Sequence, residues 1–484
     1  MFSNLKMKTI RVSKRLIPVI FLTMLGGPRP TRAEVPAQEK MNVVSILTDD
    51  QALWTLSCYG SQESRTPNID RIAASGARFV NAFTATPVCS PSRATFFTGR
   101  YGTQLGITDF LTVEEETNGG GLRPGTITWP AVLQSNGYAT ALMGKWHLGR
   151  NPANLPYRFG FDRFFGFLGA AAHPTAPIFA FADGPRKLAG CTADLITNEA
   201  LTFIEKNRTH PFALSLHFRE PHEPYGPMPE EDTQALASLD PVIPDVRGID
   251  PAQIKQWRRE YFTAVHAIDR NVGRIIAALE KHGLWEKTVI IFTSDHGYNI
   301  GDHSVHGKGN ATWVGGGTIG PRRPNMWDTS LRVPLLVRWP GAGKPGAVIE
   351  DVVSNVDTFA SVLGMLRVDV PRESQHEGMD FSPRLRGETR PSRDTFFGQY
   401  DLHNRGFARM RAARNARWKL VFHFESRHLD EFYDLLADPD ENRNLLFWGA
   451  RDKLTPEQTR AWVDLDTKLR AWMKSIGDPL LTPS

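Results

Sequence analysis

Cysteine is scarce in this chain, with three in 484 residues: Cys58, Cys89 and Cys191. An odd count excludes complete pairing, so at least one thiol has another task. Cys58 and Cys191 could pair, although nothing in the sequence shows that they approach; Cys89 is the one whose neighbourhood carries chemistry. Long apolar runs are also missing. The apolar run at 16–25 is too short to span a bilayer comfortably, and no other stretch is long and apolar enough to cross a membrane as a helix. Dense positive charge is absent: 57 Lys and Arg against 52 Asp and Glu leave a net charge of +5, and no basic run follows the N-terminal stretch. Acidic ligands remain possible, but nucleic acid is not an expected partner. No internal repeat or low-complexity tract is visible.

The N-terminal stretch has three parts. Lys6, Lys8, Arg11, Lys14 and Arg15 precede the apolar run at 16–25, and Thr31-Arg32-Ala33 places a small residue before Glu34. This is the layout of a cleavable secretory signal over residues 1–33. Export to the periplasm or the outside is expected, with no stable membrane insertion after cleavage; the alternative reading of the same residues is an uncleaved membrane anchor.

The length favours two units. Apolar runs at 43–48, 139–143, 212–218, 289–293 and 333–338 read as strands. Helical patterns at 68–76, 195–207 and 257–282 lie between them. Strands separated by helices predict an α/β fold with a mainly parallel sheet covered on both faces. Composition shifts near 370–392, where Pro371, Pro383 and Pro391 sit among charges. Beyond it, 395–400, 408–412 and 418–424 read as short antiparallel strands. Thr455, Pro456 and Gln458 then open a last helix with a capping box. The expected division is a large domain over 34–385 and a smaller α+β subdomain over 386–484.

Polar residues collect where the strands end. The first strand runs into Asp49-Asp50, the second into Gly144-Lys145-Trp146-His147, the third into Glu220-Pro221-His222, and the fourth into Asp295-His296-Gly297. In open α/β sheets, ligands bind outside the carboxyl ends of strands. Adjacent carboxylates repel unless positive charge lies between them, so Asp49, Asp50 and Asp295 imply a hard divalent cation. His296 arrives with them, although nitrogen ligands suit softer ions than calcium. Cys89-Ser90-Pro91-Ser92-Arg93 is the sharpest motif. Pro91 suits the first position of a helix, which sets Cys89 at or just before a helix N-terminus that attracts anions, with Arg93 one turn in.

Together these residues resemble the type I, formylglycine-dependent sulfatases of the alkaline-phosphatase-like superfamily. The resemblance rests on Cys89-x-Pro91-Ser92-Arg93 with Thr98-Gly99-Arg100, on the strand-end motifs in their order, on Leu331-Arg332-Val333-Pro334 and on Tyr433-Asp434-Leu435. It implies a hydrolase of sulfate esters in which a formylglycine-generating enzyme converts Cys89 during export. It also implies one divalent cation, most often calcium in this family, held by Asp49, Asp50, Asp295, His296 and the oxygen of modified Cys89. Arg93, Lys145 and Lys308 would neutralise charge on the transferring group. His222 would protonate the leaving oxygen, and His147 would take a proton from the second hydroxyl of the formylglycine hydrate. Lys308 is placed through the loop 301–310. The Gly-rich stretch 314–320 and Trp327-Asp328-Thr329, where relatives often carry Tyr-Glu-Glu, read as an altered loop near the substrate mouth. A sulfated carbohydrate is the expected substrate. The rivals are a phosphoester hydrolase of the same superfamily and a non-catalytic protein that binds sulfated glycans.

Overall fold

The strand Asn42–Thr48 (β1) shows how the sequence builds the centre of the molecule. All seven residues are buried. Alternation sends Val43 and Leu47 to one face and Val44 and Ile46 to the other, where they join two separate apolar cores. A strand buried on both faces needs helical cover on each side, and its near-continuous apolar sequence follows from that. Ser45, the polar exception, meets Ser215 on the next strand with 3.2 Å between hydroxyl oxygens.

The computed structural model describes residues 40–245, 248–315, 320–447 and 450–481, so the expected signal segment lies outside the described residues. After β1 come β2 (Ala77–Phe83), β3 (Ala139–Lys145), β4 (Arg163–Phe167), β5 (Ile178–Phe181), β6 (Gly184–Lys187), β7 (Phe212–His217) and β8 (Thr288–Ser294). A small three-stranded sheet follows, made of β9 (Asn299–Ile300), β10 (Val305–Gly307) and β11 (Thr312–Trp313); β12 (Leu335–Arg338) and β13 (Ala347–Ser354) then return to the main sheet. Its order is β13-β2-β12-β8-β1-β7-β3-β4-β5-β6. The central run from β8 to β4 is parallel throughout.

Helices α1 (Pro67–Ser75) and α2 (Cys89–Thr98) cover opposite faces, with Ile69 and Ile72 in one core and Phe96 and Phe97 in the other. The long helices α3 (Thr192–Lys206) and α4 (Pro251–Lys281) join α1, while α5 (Thr358–Leu366) joins α2. Helix α4 starts six residues earlier than its apolar periodicity suggests. Asp250 caps it by accepting from Ala252 N at 3.0 Å, and Pro251 takes the first position.

The α/β architecture with a mainly parallel sheet is what the sequence pattern predicts. Strand β12, at the expected place, runs antiparallel to both β2 and β8. The chain between β8 and β12 forms no long helix among its described residues, and a parallel return requires such a crossover. Strands β2 and β13 escape a periodicity reading because they mix buried and half-exposed residues, and β13 shifts register between Ile349 and Val352.

The C-terminal part is an antiparallel sheet, β14 (Phe396–Leu402), β15 (Ala408–Arg414), β16 (Trp418–His423) and β17 (Glu431–Asp434). Helix α6 (Pro456–Ser475) packs Leu465, Leu469 and Met473 against Leu420, Phe422 and Phe432. Its capping box forms as expected, with Gln458 N donating to Thr455 Oγ1 at 3.3 Å and Thr455 N donating to Gln458 Oε1 at 2.9 Å.

An open question is answered here, and one expectation changes. Cys58 and Cys191 are both free thiols, each pushed up to about 12 by burial. Trp327-Asp328-Thr329 is a clamp between sheets. Asp328 accepts from Lys419 Nζ at 2.9 Å and from Arg414 Nη2 at 3.0 Å, both on C-terminal strands, and Glu441 accepts from the same lysine at 2.6 Å. Burial of these charges is tolerable because each has a partner, and removing one partner strands the others.

Two partly buried histidines make stability depend on acid. His303 stacks on Trp327 with ring centres 3.9 Å apart, and His306 stacks on Trp257 at 4.3 Å. Burial pushes each down to about 4 from an ordinary 6.5. The unfolded chain therefore binds protons at these sites between about pH 6.5 and 4 while the folded chain does not, so stability falls as pH falls through that window. The difference is worth up to about 3 kcal/mol per histidine. We expect the unfolding midpoint to drop from pH 7 to pH 5, and the drop to shrink in His303→Phe. A midpoint flat across that range contradicts this assignment.

Candidate active site

Strands β1 and β8 end level, with Thr48 beside Ser294. The residues that follow them, Asp49-Asp50 and Asp295-His296, are therefore neighbours by register. On the other side of β1, β7 ends at His217 and β3 at Lys145, adjacent in the same parallel run. Backbone bonds fix the exits: Asp295 N donates to Thr48 O at 3.0 Å and Asp49 N donates to Glu220 O at 3.2 Å. Asp50 and His147 hold left-handed backbone conformations, φ 66° and 56°. Such positions carry a cost and cluster at functional sites.

Helix α2 supplies the remaining part. Cys89 is its first residue and Val88 its N-cap, so Pro91 takes the third position instead of the first. The sequence expectation that Cys89 sits at the helix N-terminus is met. The whole helix is buried, which presses its first turn into the strand ends. Cys89 Sγ lies 3.1 Å from Lys308 Nζ, 3.4 Å from His296 Nε2 and 3.6 Å from Asp49 Oδ1. Ser92 Oγ donates to the backbone oxygen of Asp295, tying the helix to β8. Arg93 reaches Asp295 Oδ2 with Nη2 at 2.9 Å and Asp49 Oδ1 at 3.6 Å.

The charges form one interlocked set. Lys145 Nζ donates to Asp49 Oδ2 at 2.6 Å, and Lys308 Nζ donates to Asp50 Oδ1. His296 Nε2 stands 3.2 Å from Asp50 Oδ1 and 3.4 Å from Asp295 Oδ1. Burial alone would raise the Asp49 carboxyl and the Cys89 thiol. Burial is the largest single effect in both, yet the surrounding charges together outweigh it, Lys145 with His222, Arg93 and Lys308 at Asp49 and Lys145 with Lys308 at Cys89, and both groups lie well below their usual values. Asp295 goes the other way, to about 7, because burial and the Asp49 charge outweigh His296 and Arg93.

This donor set fits a divalent cation. Asp49, Cys89, Asp295 and His296 offer ligand atoms within 4.8 Å of one another, and so do Asp49, Asp50, Cys89 and His222. Carboxylate oxygens dominate, as hard cations require, and Lys308 Nζ already places a positive charge among them. With the thiol of Cys89 replaced by an oxygen donor, the set becomes harder still.

His147 and His222 face the same space. A pocket of about 420 Å³ is lined by Cys89, His147, His222 and Lys308, with Phe110 and Tyr298 among its walls. His147 Nε2 is 2.9 Å from Leu111 O, and its Nδ1 has no hydrogen-bond partner. His222 Nε2 lies 3.8 Å from Asp50 Oδ2, and burial holds the ring below its usual value against the pull of Asp50 and Asp49.

All ten residues singled out in the sequence thus converge on one place. His217 was not among them. It is fully buried at the end of β7, 3.3 Å from Arg93 Nη1 and 3.2 Å from Lys145 O, and burial with the Arg93 charge keeps it neutral. Its signal was a lone polar residue at a strand end, which periodicity reads as ordinary.

Comparison with known proteins fits this geometry. The family profile described as Sulfatase matches residues 41–368, and one described as N-sulphoglucosamine sulphohydrolase, C-terminal, matches residues 322–466. Arylsulfatase A of Homo sapiens is 30% identical over 474 residues, covering 90% of this chain and 90% of its own. The N-acetylglucosamine-6-O-sulfatase of Bacteroides thetaiotaomicron is 26% identical over 520 residues, covering 90% and 87%. A solved structure described as a complex with its substrate D-glucosamine-2-N,6-O-disulfate superposes with a TM-score of 0.77 at 24% identity, covering 92% of this chain and 100% of the other. With the profile spanning two-thirds of the sequence and a relative matched over nearly its full length, the chain belongs to the sulfatase family and is a sulfuric ester hydrolase.

Proposed function

We propose that the protein is an exported enzyme that removes sulfate from carbohydrate esters, using Cys89 converted to Cα-formylglycine and a divalent cation, calcium by the chemistry of its oxygen donors. The observation that carries this reading is the position of Cys89. It stands at the buried start of α2, within reach of Lys308, His296 and Asp49 at once. A structural cysteine has no need of that company, and a formylglycine-generating enzyme is the maturation partner the motif calls for.

Asp49, Asp50, Asp295 and His296 would hold the cation, which polarises sulfate oxygens and favours the ionised nucleophile. Arg93, Lys145 and Lys308 surround the same point and neutralise charge as the S–O bond breaks. Their positions are fixed beforehand by ion pairs with Asp295, Asp49 and Asp50, so little reorganisation is needed. His147 is placed as a base: with Nε2 2.9 Å from Leu111 O, a proton on Nε2 leaves the Nδ1 lone pair without a partner, in a residue that lines the pocket. His222 is the acid for the leaving oxygen. Burial holds it below its usual value, and a substrate anion beside it shifts it back toward imidazolium.

Support for a carbohydrate substrate comes from relatives whose names specify sugars, including the ulvan-active sulfatase of Formosa agariphila at 27% identity. Residues 1–33 support export through their basic, apolar and small-residue sequence. The phosphoester rival is disfavoured because the described ligand groups form one centre sharing Asp49 and Cys89, where those relatives often use two metals and a Ser or Thr nucleophile. Release of sulfate and phosphate from paired aryl esters separates the two. Sulfate release alone supports the proposal; phosphate release as the faster reaction overturns it. The His222→Ala variant is expected to lose about 10²- to 10⁴-fold on a sugar sulfate and much less on an activated aryl sulfate, whose leaving oxygen needs no proton. Equal losses on both remove His222 from the acid role.

A further inference from the structure

The pocket wall above Lys308 carries two guanidiniums that the reaction does not use. Arg322 and Arg405 both line the pocket that contains Cys89 and His222. Neither forms an ion pair among the described residues. Arg322 spends Nη1 on the Asn310 carbonyl and on Thr312 Oγ1 at 3.4 Å, both neutral groups. Arg405 has no hydrogen bond among the described residues. Arg322 is half-buried and Arg405 is exposed at the pocket's rim; the buried Arg258 and Arg411, by contrast, are matched to carboxylates, Arg258 to Asp302 and Arg411 to Asp401 and Asp478.

The placement of Arg405 is built by the C-terminal sheet. It lies in the hairpin between β14 and β15, in a left-handed backbone conformation with φ 61°. The hairpin rests on the stem of Arg322: a Cβ at Gly406 would stand 3.8 Å from Arg322 Cγ. Backbone bonds from His403 N and Asn404 N to Asp109 Oδ2, at 3.0 and 2.9 Å, anchor the same turn to the catalytic domain. The pocket is therefore completed by a chain segment some 300 residues away from the cysteine. That segment brings an unpaired positive charge.

A monosulfated neutral sugar gives these arginines nothing to do, because its one anion belongs beside Cys89 and Lys308. We propose that Arg405, with Arg322 behind it, binds a second anionic group of the substrate, so that the preferred substrate is a sugar carrying a carboxylate or a second sulfate besides the sulfate that is cleaved. The inference rests on the sulfatase reading of the same pocket. A guanidinium pairs with planar or tetrahedral oxyanions in two-point fashion, and one such charge-assisted contact in a partly enclosed site is worth about tenfold to a hundredfold in affinity.

The test compares two substrates on the converted, cation-loaded enzyme: N-acetylglucosamine 6-sulfate, whose C2 substituent is neutral, and glucosamine 2-N,6-O-disulfate, with a sulfated uronate disaccharide as the carboxylate arm. The expected result is a kcat/KM ratio that favours the doubly anionic sugar at least tenfold in the wild type. The ratio falls about tenfold or more in Arg405→Ala, mainly through KM, recovers in part in Arg405→Lys and falls further in Arg405→Glu. A wild-type ratio near one, or a ratio unmoved by Arg405→Ala and Arg322→Gln together, overturns the proposal. If the converted enzyme turns over no sulfate ester, the catalytic reading has failed, and calorimetric binding of the same sugars to the unconverted chain still decides this one. Weaker binding of the disulfate by Arg405→Ala than by the wild type supports it; equal binding overturns it.

Discussion

Cys89→Ala is expected to abolish sulfate release, lowering kcat by at least about 10⁴-fold, while the protein still folds. Formylglycine conversion needs the cysteine sulfur as its starting point, and alanine offers neither a thiol nor a hydroxyl. The structural cost is small. The thiol is one heavy atom at the start of α2, and the helix is held by Ser92 on Asp295 O and by Arg93 on Asp295, neither of which involves Cys89. Losing so small a buried group costs on the order of 1 kcal/mol. The unfolding midpoint should therefore move by a few degrees while activity disappears. Sulfate release at a tenth or more of the wild-type rate would remove Cys89 from the chemistry, and a collapsed midpoint would mean that the cysteine is structural.

The second large effect concerns the cation. Chelation is expected to cost activity by at least about 10³-fold and to lower the unfolding midpoint, with both restored by added calcium. Three carboxylates, Asp49, Asp50 and Asp295, stand together without exposure to water. Asp295→Asn is the cleaner probe of this than Asp295→Ala. Alanine would also take from Arg93 the nearer of its two carboxylates, Asp295 Oδ2 at 2.9 Å, leaving Asp49 Oδ1 at 3.6 Å, and breaking a buried ion pair costs up to about 3–5 kcal/mol. Asparagine keeps the shape and removes one negative charge. Its predicted signature is a weakened response to calcium in both midpoint and rate. A variant that keeps the wild-type calcium shift would show that Asp295 is no ligand.

Much of this site was legible because a parallel sheet turns sequence order into spatial order. Apolar runs that end in Asp49-Asp50, Lys145, Glu220-Pro221-His222 and Asp295-His296 have to deliver those groups to one edge once the strands lie side by side. Lys308 is a different case. It comes from a loop after β10, and its contact with Asp50 and Cys89 follows from a small sheet that no periodicity announced. The direction of β12 was invisible for a related reason, since three apolar residues and an arginine look alike whichever way they run. Trp327-Asp328-Thr329 misled because its partners, Lys419, Arg414 and Glu441, lie far along the chain. Arg405 was silent for the same reason. Local patterns report which face of an element is buried, and they do not report which distant hairpin closes a pocket.

The account's central claim is that Cys89 is the seat of the chemistry, and one measurement meets it most directly. The protein is produced together with a formylglycine-generating enzyme, and the mass of the peptide containing Cys89 is determined. The account predicts the mass of an aldehyde or its hydrate at Cys89, accompanied by sulfate release. A free thiol at that position, in protein that still releases sulfate at full rate, would contradict it.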